Sequence, residues 1–198
     1  KRFTVSIGIH CHNDGGMAEA NSIMGVEQGV TQVQGTFNGY GERCGNANLS
    51  VIIPNLQLKR GKDCIGEEGL KDLSAVCRYI SELANLPYNE RQPYVGNSAF
   101  AHKGGMHIDG VQKNRHSFEH ISPELVGNER RILMSEVSGR STILKRIQEV
   151  VPWVDKESKE TKLIMDRLKQ LEYDGYQFEG AESSFELITI IFQLLKPI

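Results

Sequence analysis

The first sixty residues of the chain alternate between short apolar runs and amphipathic stretches. The runs FTVSIGIH and VTQVQGTFNG have the length and β-branched content of buried strands. Each is followed by a stretch whose apolar residues recur three and four positions apart, MAEANSIMGVEQG and NANLSVIIPNLQLKRG, which predicts a helix. This order predicts two parallel strands, each followed by a helix.

The pattern becomes mainly helical from Glu67 onward. EEGLKDLSAVCRYISELANL predicts one long helix ended by Pro87, with an apolar face made of Leu70, Leu73, Val76, Ile80 and Leu83. Residues 89–142 are rich in Gly, Asn, Ser and His and show little periodicity, which predicts a mostly loop-like functional region. Helices are predicted in ILKRIQEVV, KESKETKLIMDRLKQLEYDG and ESSFELITIIFQLL, although the last run also fits a strand.

Composition and charge narrow the possible functions. The chain has 198 residues, a net charge of -2 and a pI near 6.3, which gives no basic surface for nucleic acid. No window approaches the roughly 18 consecutive apolar residues of a membrane span. The four cysteines lack CxxC spacing and no signal peptide is recognisable, so we expect a cytoplasmic location, with the thiols reduced and buried as small apolar groups. The chain begins without Met inside a predicted strand, which suggests that a preceding segment has been removed.

Two polar loops follow the two predicted strands. HCHNDGG follows the first strand and NGYGERCGN the second. Alternate residues of a strand point to the same side, so His10 and His12 should project together. Paired imidazoles suit Zn, Mn, Fe or Co, whereas the plainer interpretation is two hydrogen-bonded histidines at a strand end.

The second loop favours the metal interpretation. Its residues Asn38, Glu42, Arg43 and Asn46 can supply a further oxygen ligand and partners for the imidazole NH groups. The loop lacks the spacing of a phosphate-binding motif, so its glycines fit close backbone approach instead. Glu42 and Arg43 are adjacent opposite charges; at the mouth of a site we favour a functional role over a surface ion pair.

A third group of candidates lies in AFAHKGGMHIDG. His102 and His107 are five residues apart among glycines, and Asp109 follows, so a carboxylate could orient a proton-transferring histidine. Spacing alone does not separate this role from a structural or solvated histidine. His116 and His120 fit capping or surface hydrogen bonding better, and the charged run from Lys156 to Lys169 fits a solvated helix face.

These residues carry a family resemblance. HCHNDGGMAEAN and GTFNGYGERCGNANL resemble the double signature of the 2-isopropylmalate, homocitrate and citramalate synthases, and HKGGMHIDGVQKN resembles their downstream histidine motif. FEHISPELVGNERRILMSEVSGRS and LEYDGYQFEGAESSFEL look most like the bacterial long-form citramalate synthases.

The resemblance implies an architecture. It predicts an α/β chain holding the last two βα units of a (β/α)8 TIM barrel, followed by mainly α-helical linker subdomains. The barrel part would cover residues 1–65, the first linker subdomain with the histidine motif 66–150, and a helical second subdomain 151–198. Most of the barrel and a regulatory domain would lie outside the chain.

The resemblance also implies an activity and its residues. Family members condense acetyl-CoA with a 2-oxo acid at a divalent metal (Mn, Mg, Zn or Co). By resemblance His10 and His12 ligate the metal, and Asn46 lies in or beside its coordination sphere. His107 matches the catalytic histidine that relatives deliver to the barrel of a partner subunit in a homodimer. Glu42 and Arg43 complete the predicted catalytic set.

Departures from the family pattern leave alternatives open. The Arg-Asp-Gly motif that opens the barrel is absent from this sequence, and so is the glutamate that pairs with the catalytic histidine in relatives. Some isopropylmalate synthases carry a tyrosine where GNERR places Arg130, which weakens assignment to that branch. Pyruvate is the favoured acceptor only through the resemblance to citramalate synthases, and 2-oxoisovalerate is the alternative. The chain alone is expected to be inactive. It could also be a non-catalytic module for dimerisation or metal binding.

Overall fold

The computed structural model describes residues 4–103, 105–133, 140–155, 157–178 and 181–194. The chain divides into two compact units, Lys1–Phe100 with Ile121–Glu129, and Ala101–His120 with Arg130–Ile198. The predicted domains, with boundaries after residues 65 and 150, stay a prediction. Some predicted features lie partly outside the described residues. These are the start of the first strand (1–3), the charged run (156), the end of the last run (195) and three quoted motifs (104, 134–139 and 179–180).

The first unit begins with the predicted parallel pair of strands. Strand β1 (Gly8–His10) and strand β2 (Gln32–Gln34) pair in parallel, and helix α1 (Ala18–Glu27) connects them, so this prediction is confirmed. Both strands are shorter than predicted. Within the described part of the chain each has the other as its only ladder partner, and a strand extends only where neighbours satisfy its backbone groups.

Helix α2 (Leu49–Pro54) follows the second polar loop and continues as a π-helical turn over Asn55–Lys59. Asn48 caps its N-terminus, because the Asn48 side chain accepts hydrogen bonds from both the backbone N and the Oγ of Ser50. The core between these elements is made of Ala18, Ala47, Ile52 and Leu56.

The long helix predicted from Glu67 is two helices, α3 (Gly66–Lys71) and α4 (Leu73–Ala84), separated at Asp72. The predicted apolar face is partly wrong, because Val76 and Leu83 are 37% and 68% exposed. Helix α4 instead turns Ser74, Cys77 and Ser81 inward. It ends at Ala84, before Pro87, with Asn85 in the left-handed region that terminates helices.

Inward-facing serines on α4 are compatible with burial because they are hydrogen-bonded. Ser74 Oγ donates to the carbonyl of Val126 at 2.6 Å, and Ser81 Oγ lies 2.9 Å from the Tyr40 hydroxyl. The apolar part of this core comprises Leu70, Leu73, Cys77, Tyr94, Val95, Phe100, Ile121 and Val126. The polar contacts therefore make burial of this face of α4 acceptable.

The second unit begins with strand β3 (Ala101–His102), which pairs in parallel with strand β4 (Arg131–Ile132). Helix α5 (Gly105–Lys113) and a 3-10 turn over Arg115–Ser117 lie between them in sequence. The prediction of a mostly loop-like region is therefore wrong at α5. Ile108 and Val111, three residues apart, anchor this helix through its buried side.

The remaining helices of the second unit are α6 (Arg140–Val150), α7 (Lys159–Tyr173) and α8 (Glu182–Leu194). The last run is therefore a helix, as favoured from its sequence. The shared core consists of Ile143, Ile147, Val151, Val154, Ile164, Leu168, Leu171, Phe178 and Phe185. Ser158 caps α7 by accepting a hydrogen bond from Thr161 N, and most charged side chains of α7 face solvent as predicted.

The cysteines behave differently from one another. All four are free, and burial raises the pKa of Cys77 to about 11. Cys11 is partly buried, whereas Cys44 and Cys64 are exposed, so the prediction that all four are buried apolar groups is wrong for the last two. Among the described residues, no helix combines the length and hydropathy needed to cross a membrane.

Candidate metal centre and associated histidines

His10 and His12 lie together at the end of β1. Their ring centroids are 5.2 Å apart, with the rings nearly perpendicular, and both side chains are exposed. The two-residue spacing therefore brings the imidazoles to one side of the strand end, as predicted. At this separation one cation can take a nitrogen from each ring.

The second polar loop lies directly against the first. Backbone N of Ala47 donates to the carbonyl of Cys11, and backbone N of Asn13 donates to the carbonyl of Gly45, both at 2.9 Å. These hydrogen bonds flank an antiparallel bridge between His12 and Asn46. The structure therefore brings Asn46 beside the histidine pair, although 34 positions separate it from His12 in the sequence.

The side chain of Asn46 carries the clearest sign of a ligand site. Its Nδ2 donates to the carbonyl of Tyr40 at 2.9 Å, which fixes the orientation of the amide. Its Oδ1 is buried and has no hydrogen-bond partner among the described residues. A buried, unpaired carbonyl oxygen costs about 1 to 3 kcal/mol, a cost that a bound cation removes.

The donor set fits a divalent cation. Two imidazole nitrogens and one amide oxygen form a mixed shell that accepts Zn, Mn, Co or Mg. Within the described ranges, no three side chains of His, Cys, Asp or Glu come together as a metal-binding group. Among the described residues, the Asn46 amide is the candidate for a third donor beside the two imidazoles.

Glycines allow the second loop to fold this tightly. Gly45 has φ +86°, and a Cβ there would lie 1.9 Å from the carbonyl oxygen of Gly39. Gly41 has φ +151°, and a Cβ there would lie 2.2 Å from Nδ2 of Asn46. Close approach of the Gly39 backbone therefore requires glycine at position 45, as the sequence indicated, and close approach of the Asn46 side chain requires it at position 41.

We expect Gly45→Ala to weaken metal binding at least about tenfold, because the loop must move to remove the clash and Asn46 moves with it. Gly61→Ala is the matched control, since Gly61 also has positive φ (+63°) but a Cβ there would have no neighbouring atom within 4 Å. Calorimetric titration with Mn²⁺ measures both variants. Equal metal affinity in the two variants would contradict this role of the Gly45 contact.

Asn38 does not reach the histidine pair as a hydrogen-bonding partner. Its Nδ2 donates to the carbonyl of Cys77 at 2.8 Å and lies 3.2 Å from Ser81 Oγ, while its Oδ1 accepts from Gln92 Nε2. The predicted contribution of Asn38 to the site is therefore wrong. It anchors the start of the second loop to α4, with φ +60° that asparagine tolerates.

Arg43 pairs closely with Asp14 and only loosely with its neighbour Glu42. Its Nε and Nη2 bind the two carboxylate oxygens of Asp14 at 2.6 and 3.1 Å, whereas Glu42 is 87% exposed and 3.9 Å away. The hydrogen bonds from Arg43 lower the pKa of Asp14. The pair ties the two polar loops together, and the catalytic roles of Glu42 and Arg43 stay predictions.

His107 lies in the second unit, on α5. Its exposed ring stacks on Phe118 with centroids 4.3 Å apart and an interplanar angle of 16°. The carboxylate of Asp109 binds Lys113 Nζ at 2.7 Å, so the idea that Asp109 orients a histidine is wrong. His116 is exposed, as expected.

His102 differs from His107 in being buried. Its Nε2 lies 3.0 Å from a carboxylate oxygen of Glu119, which also binds Arg130. Sequence reasoning missed the contacts of Glu119 with His102 and Arg130, because these residues are not neighbours in the sequence and show no periodicity. For the same reason it missed Gln92, whose buried amide donates hydrogen bonds to Asn38 and Ser50. The available signal for a buried carboxylate was the position of Glu119 between Phe118 and Ile121 in FEHIS.

Comparison with known proteins shows the family of the chain. The profile of the HMGL-like family matches residues 2–78, and the profile described as homocitrate synthase post-HMGL domain-like matches residues 94–175. The order and extent of these two matches decide the assignment. The chain belongs to the HMGL-like family.

Individual members of the HMGL-like family align along most of the chain. It is 52% identical over 188 residues to an (R)-citramalate synthase of Geobacter sulfurreducens, covering 95% of the chain and 36% of that protein. It is 54% identical over 182 residues to an (R)-citramalate synthase of Synechocystis, covering 92% and 33%. A 2-isopropylmalate synthase of Sulfolobus acidocaldarius is 37% identical over 185 residues, covering 93% and 47%.

These alignments confirm the predicted resemblance to HMGL-like synthases and, among them, to citramalate synthases. They also confirm an α/β chain of a TIM-barrel family. The chain spans about a third of the length of the citramalate synthases that it matches.

Proposed function

We propose that this chain is part of an acyltransferase that condenses acetyl-CoA with a 2-oxo acid, with pyruvate as the acceptor and citramalate as the product. The observation that carries the proposal is the unpartnered Asn46 Oδ1 beside His10 and His12. Identity of 52% and 54% to (R)-citramalate synthases supports pyruvate as the acceptor. We place the reaction in branched-chain amino-acid biosynthesis, because citramalate would supply carbon atoms of isoleucine.

His10, His12 and Asn46 hold a divalent cation in this proposal. When bound, the cation acts as a Lewis acid toward the ketone of the 2-oxo acid. The imidazoles must be neutral to serve as ligands, so protons compete with the cation for these nitrogens. The Asp14–Arg43 ion pair holds the two loops together, and with them the three donor side chains.

In this proposal His107 accepts the proton that leaves the acetyl methyl group. Phe118 supports one face of its ring, and the side chain is otherwise exposed, so the ring nitrogens can reach a substrate. An imidazole titrates near neutral pH, which suits it to accept and return a proton. We further propose that a homodimer forms, in which this histidine serves the barrel of the second subunit.

The finer architecture belongs to the same proposal. The elements β1, α1, β2 and α2 form the last two βα units of a (β/α)8 barrel, and the later helices form linker subdomains. The polar loops then lie at the C-terminal ends of barrel strands, where TIM-barrel enzymes place their chemistry. The working compartment is the cytoplasm.

The acceptor is tested in the full reading frame that contains this chain. Release of free CoA from acetyl-CoA is measured with pyruvate, 2-oxoisovalerate and 2-oxoglutarate, and kcat/KM is compared. We expect pyruvate to be preferred about tenfold or more, because each misplaced methylene contributes about 1 to 3 kcal/mol of discrimination.

A second candidate is 2-isopropylmalate synthase activity, favoured by the 37% identity to the Sulfolobus acidocaldarius enzyme. Preference for 2-oxoisovalerate in the same assay would select it and contradict the citramalate proposal. CoA release with none of the three acids would instead favour a metal-binding or dimerisation module without catalysis.

A further inference from the structure

The second unit contains a buried charged cluster, the Glu119 cluster, made of His102, Glu119 and Arg130. The Glu119 side chain is 2% exposed, and its Oε1 lies 3.0 Å from His102 Nε2. Arg130 binds the same carboxylate with a fork, Nε to Oε1 and Nη2 to Oε2. Both carboxylate oxygens are thus occupied by side chains of the same unit.

The charge states within the cluster follow from these contacts. Burial by itself raises the pKa of Glu119, but the hydrogen bonds from Arg130 and His102 outweigh it, so the pKa lies below its ordinary value. Glu119 is therefore ionised at neutral pH and can only accept hydrogen bonds. Since the carboxylate accepts, Nε2 of His102 carries a proton and donates to it.

The cluster is connected to His107 from two sides. Phe118, the residue before Glu119, is the ring on which His107 stacks. That ring occupies the space beside Gly110 of α5, where a Cβ would lie 2.5 Å from Phe118 Cε2. His102 lies in β3, which directly precedes α5, and its carbonyl accepts a hydrogen bond from Leu133 N at 2.9 Å.

One carboxylate therefore joins the strand that leads into the His107 helix to the segment that carries the ring beneath His107. If the carboxylate loses its partners, the Phe118 segment loses its attachment to β3. The stacked imidazole then loses its fixed orientation, although it has no direct contact with the cluster in the described hydrogen bonds.

We propose that Glu119 is a positioning residue for His107: by binding Arg130 and His102, it fixes the Phe118 ring on which the His107 imidazole stacks. The inference rests on the proposed role of His107 in proton transfer. Glu119 acts through Phe118 and His102, and it does not contact the substrate.

The test is a double-mutant cycle in the full reading frame that contains this chain. The variants are Glu119→Gln, His107→Ala and the combination, with kcat measured for acetyl-CoA and pyruvate. We expect Glu119→Gln alone to lower kcat about tenfold or more, because small misplacement of a reacting group is costly. In the His107→Ala background the same change should alter kcat less than about twofold. KM for pyruvate and Mn²⁺ affinity should stay unchanged.

A spectroscopic measurement tests the positioning independently of activity. Stacking on Phe118 should shift the His107 Cε1 proton upfield through the ring current, and Glu119→Gln should remove that shift in NMR spectra of histidine-labelled protein. Glu157→Gln, an exposed glutamate in the same unit, is the control and should leave the shift intact. If Glu119→Gln does not fold, Arg130→Lys keeps the charge but loses the fork, and it enters the same measurements.

The outcomes separate this proposal from the proposed function. An equal loss of kcat in both backgrounds, or an unchanged His107 resonance in the folded variant, overturns the positioning role. An unchanged kcat in His107→Ala alone overturns the proton-transfer role instead. In that case the NMR result still decides whether Glu119 positions the ring.

Discussion

Replacing both His10 and His12 with alanine is expected to abolish divalent metal binding and synthase activity together. In the proposed site the two imidazoles supply two of the three donors, and Asn46 Oδ1 alone cannot retain a cation. A Lewis acid contributes several kcal/mol of transition-state stabilisation, so activity should fall by about a thousandfold or more. Metal content by plasma mass spectrometry and CoA release in the full reading frame measure the two effects.

The double variant should remain folded, because both histidines are exposed and the core beneath them is formed by other residues. His116→Ala is the matched control, since it removes an exposed histidine of the second unit and should leave metal and activity unchanged. Full metal occupancy in the His10→Ala, His12→Ala protein would refute the site. Loss of activity with metal retained would assign the histidines another role.

Replacing His107 with alanine is expected to lower kcat by about a hundredfold or more while the metal stays bound, since general acid–base groups contribute about that much. The imidazole is exposed and stacked on Phe118, so its removal should cost little stability. Turnover of acetyl-CoA with pyruvate and Mn²⁺ titration are the measurements.

The pH profile separates proton transfer from simple packing. A proton-transferring His107 should contribute one limb to the pH profile of kcat, and the variant should lose that limb. The stacking partner offers a control, because Phe118→Leu keeps the imidazole and should retain the limb at reduced kcat. A nearly unchanged kcat in His107→Ala would return this residue to a structural role.

The difference between His102 and His107 shows where sequence patterns stop. Both histidines lie in the same glycine-containing motif, and their spacing could not separate their roles. Burial separates them, since His102 is 7% exposed and bound to Glu119, whereas His107 is exposed on a helix. Glu119 follows His102 by 17 positions, and no periodicity links residues joined only by a buried ion pair.

Helix α4 shows that sequence patterns are also limited in predicting which side chains are buried. On this helix the apolar stripe predicted Leu73, Val76, Ile80 and Leu83 as the buried face. Leu73 is buried and Ile80 half-buried, but Val76 and Leu83 are exposed. A hydrophobic pattern cannot anticipate that the Asn38 and Tyr40 side chains hydrogen-bond to the other face of the helix. Satisfied hydrogen bonds make burial of serine acceptable, which competes with the burial of valine or leucine.

The sequence by itself determined the parallel strand pair, the polar loops after both strands, the histidine pair and the family. These follow from local periodicity and from motifs in which the relevant residues are neighbours. Tertiary structure alone decided that Asn46 reaches His12 with its Oδ1 unpaired, that Arg43 binds Asp14, and that Glu119 joins His102 to Arg130. Each of these contacts joins residues that are distant in sequence, so its geometry depends on how the loops and strands fold against each other.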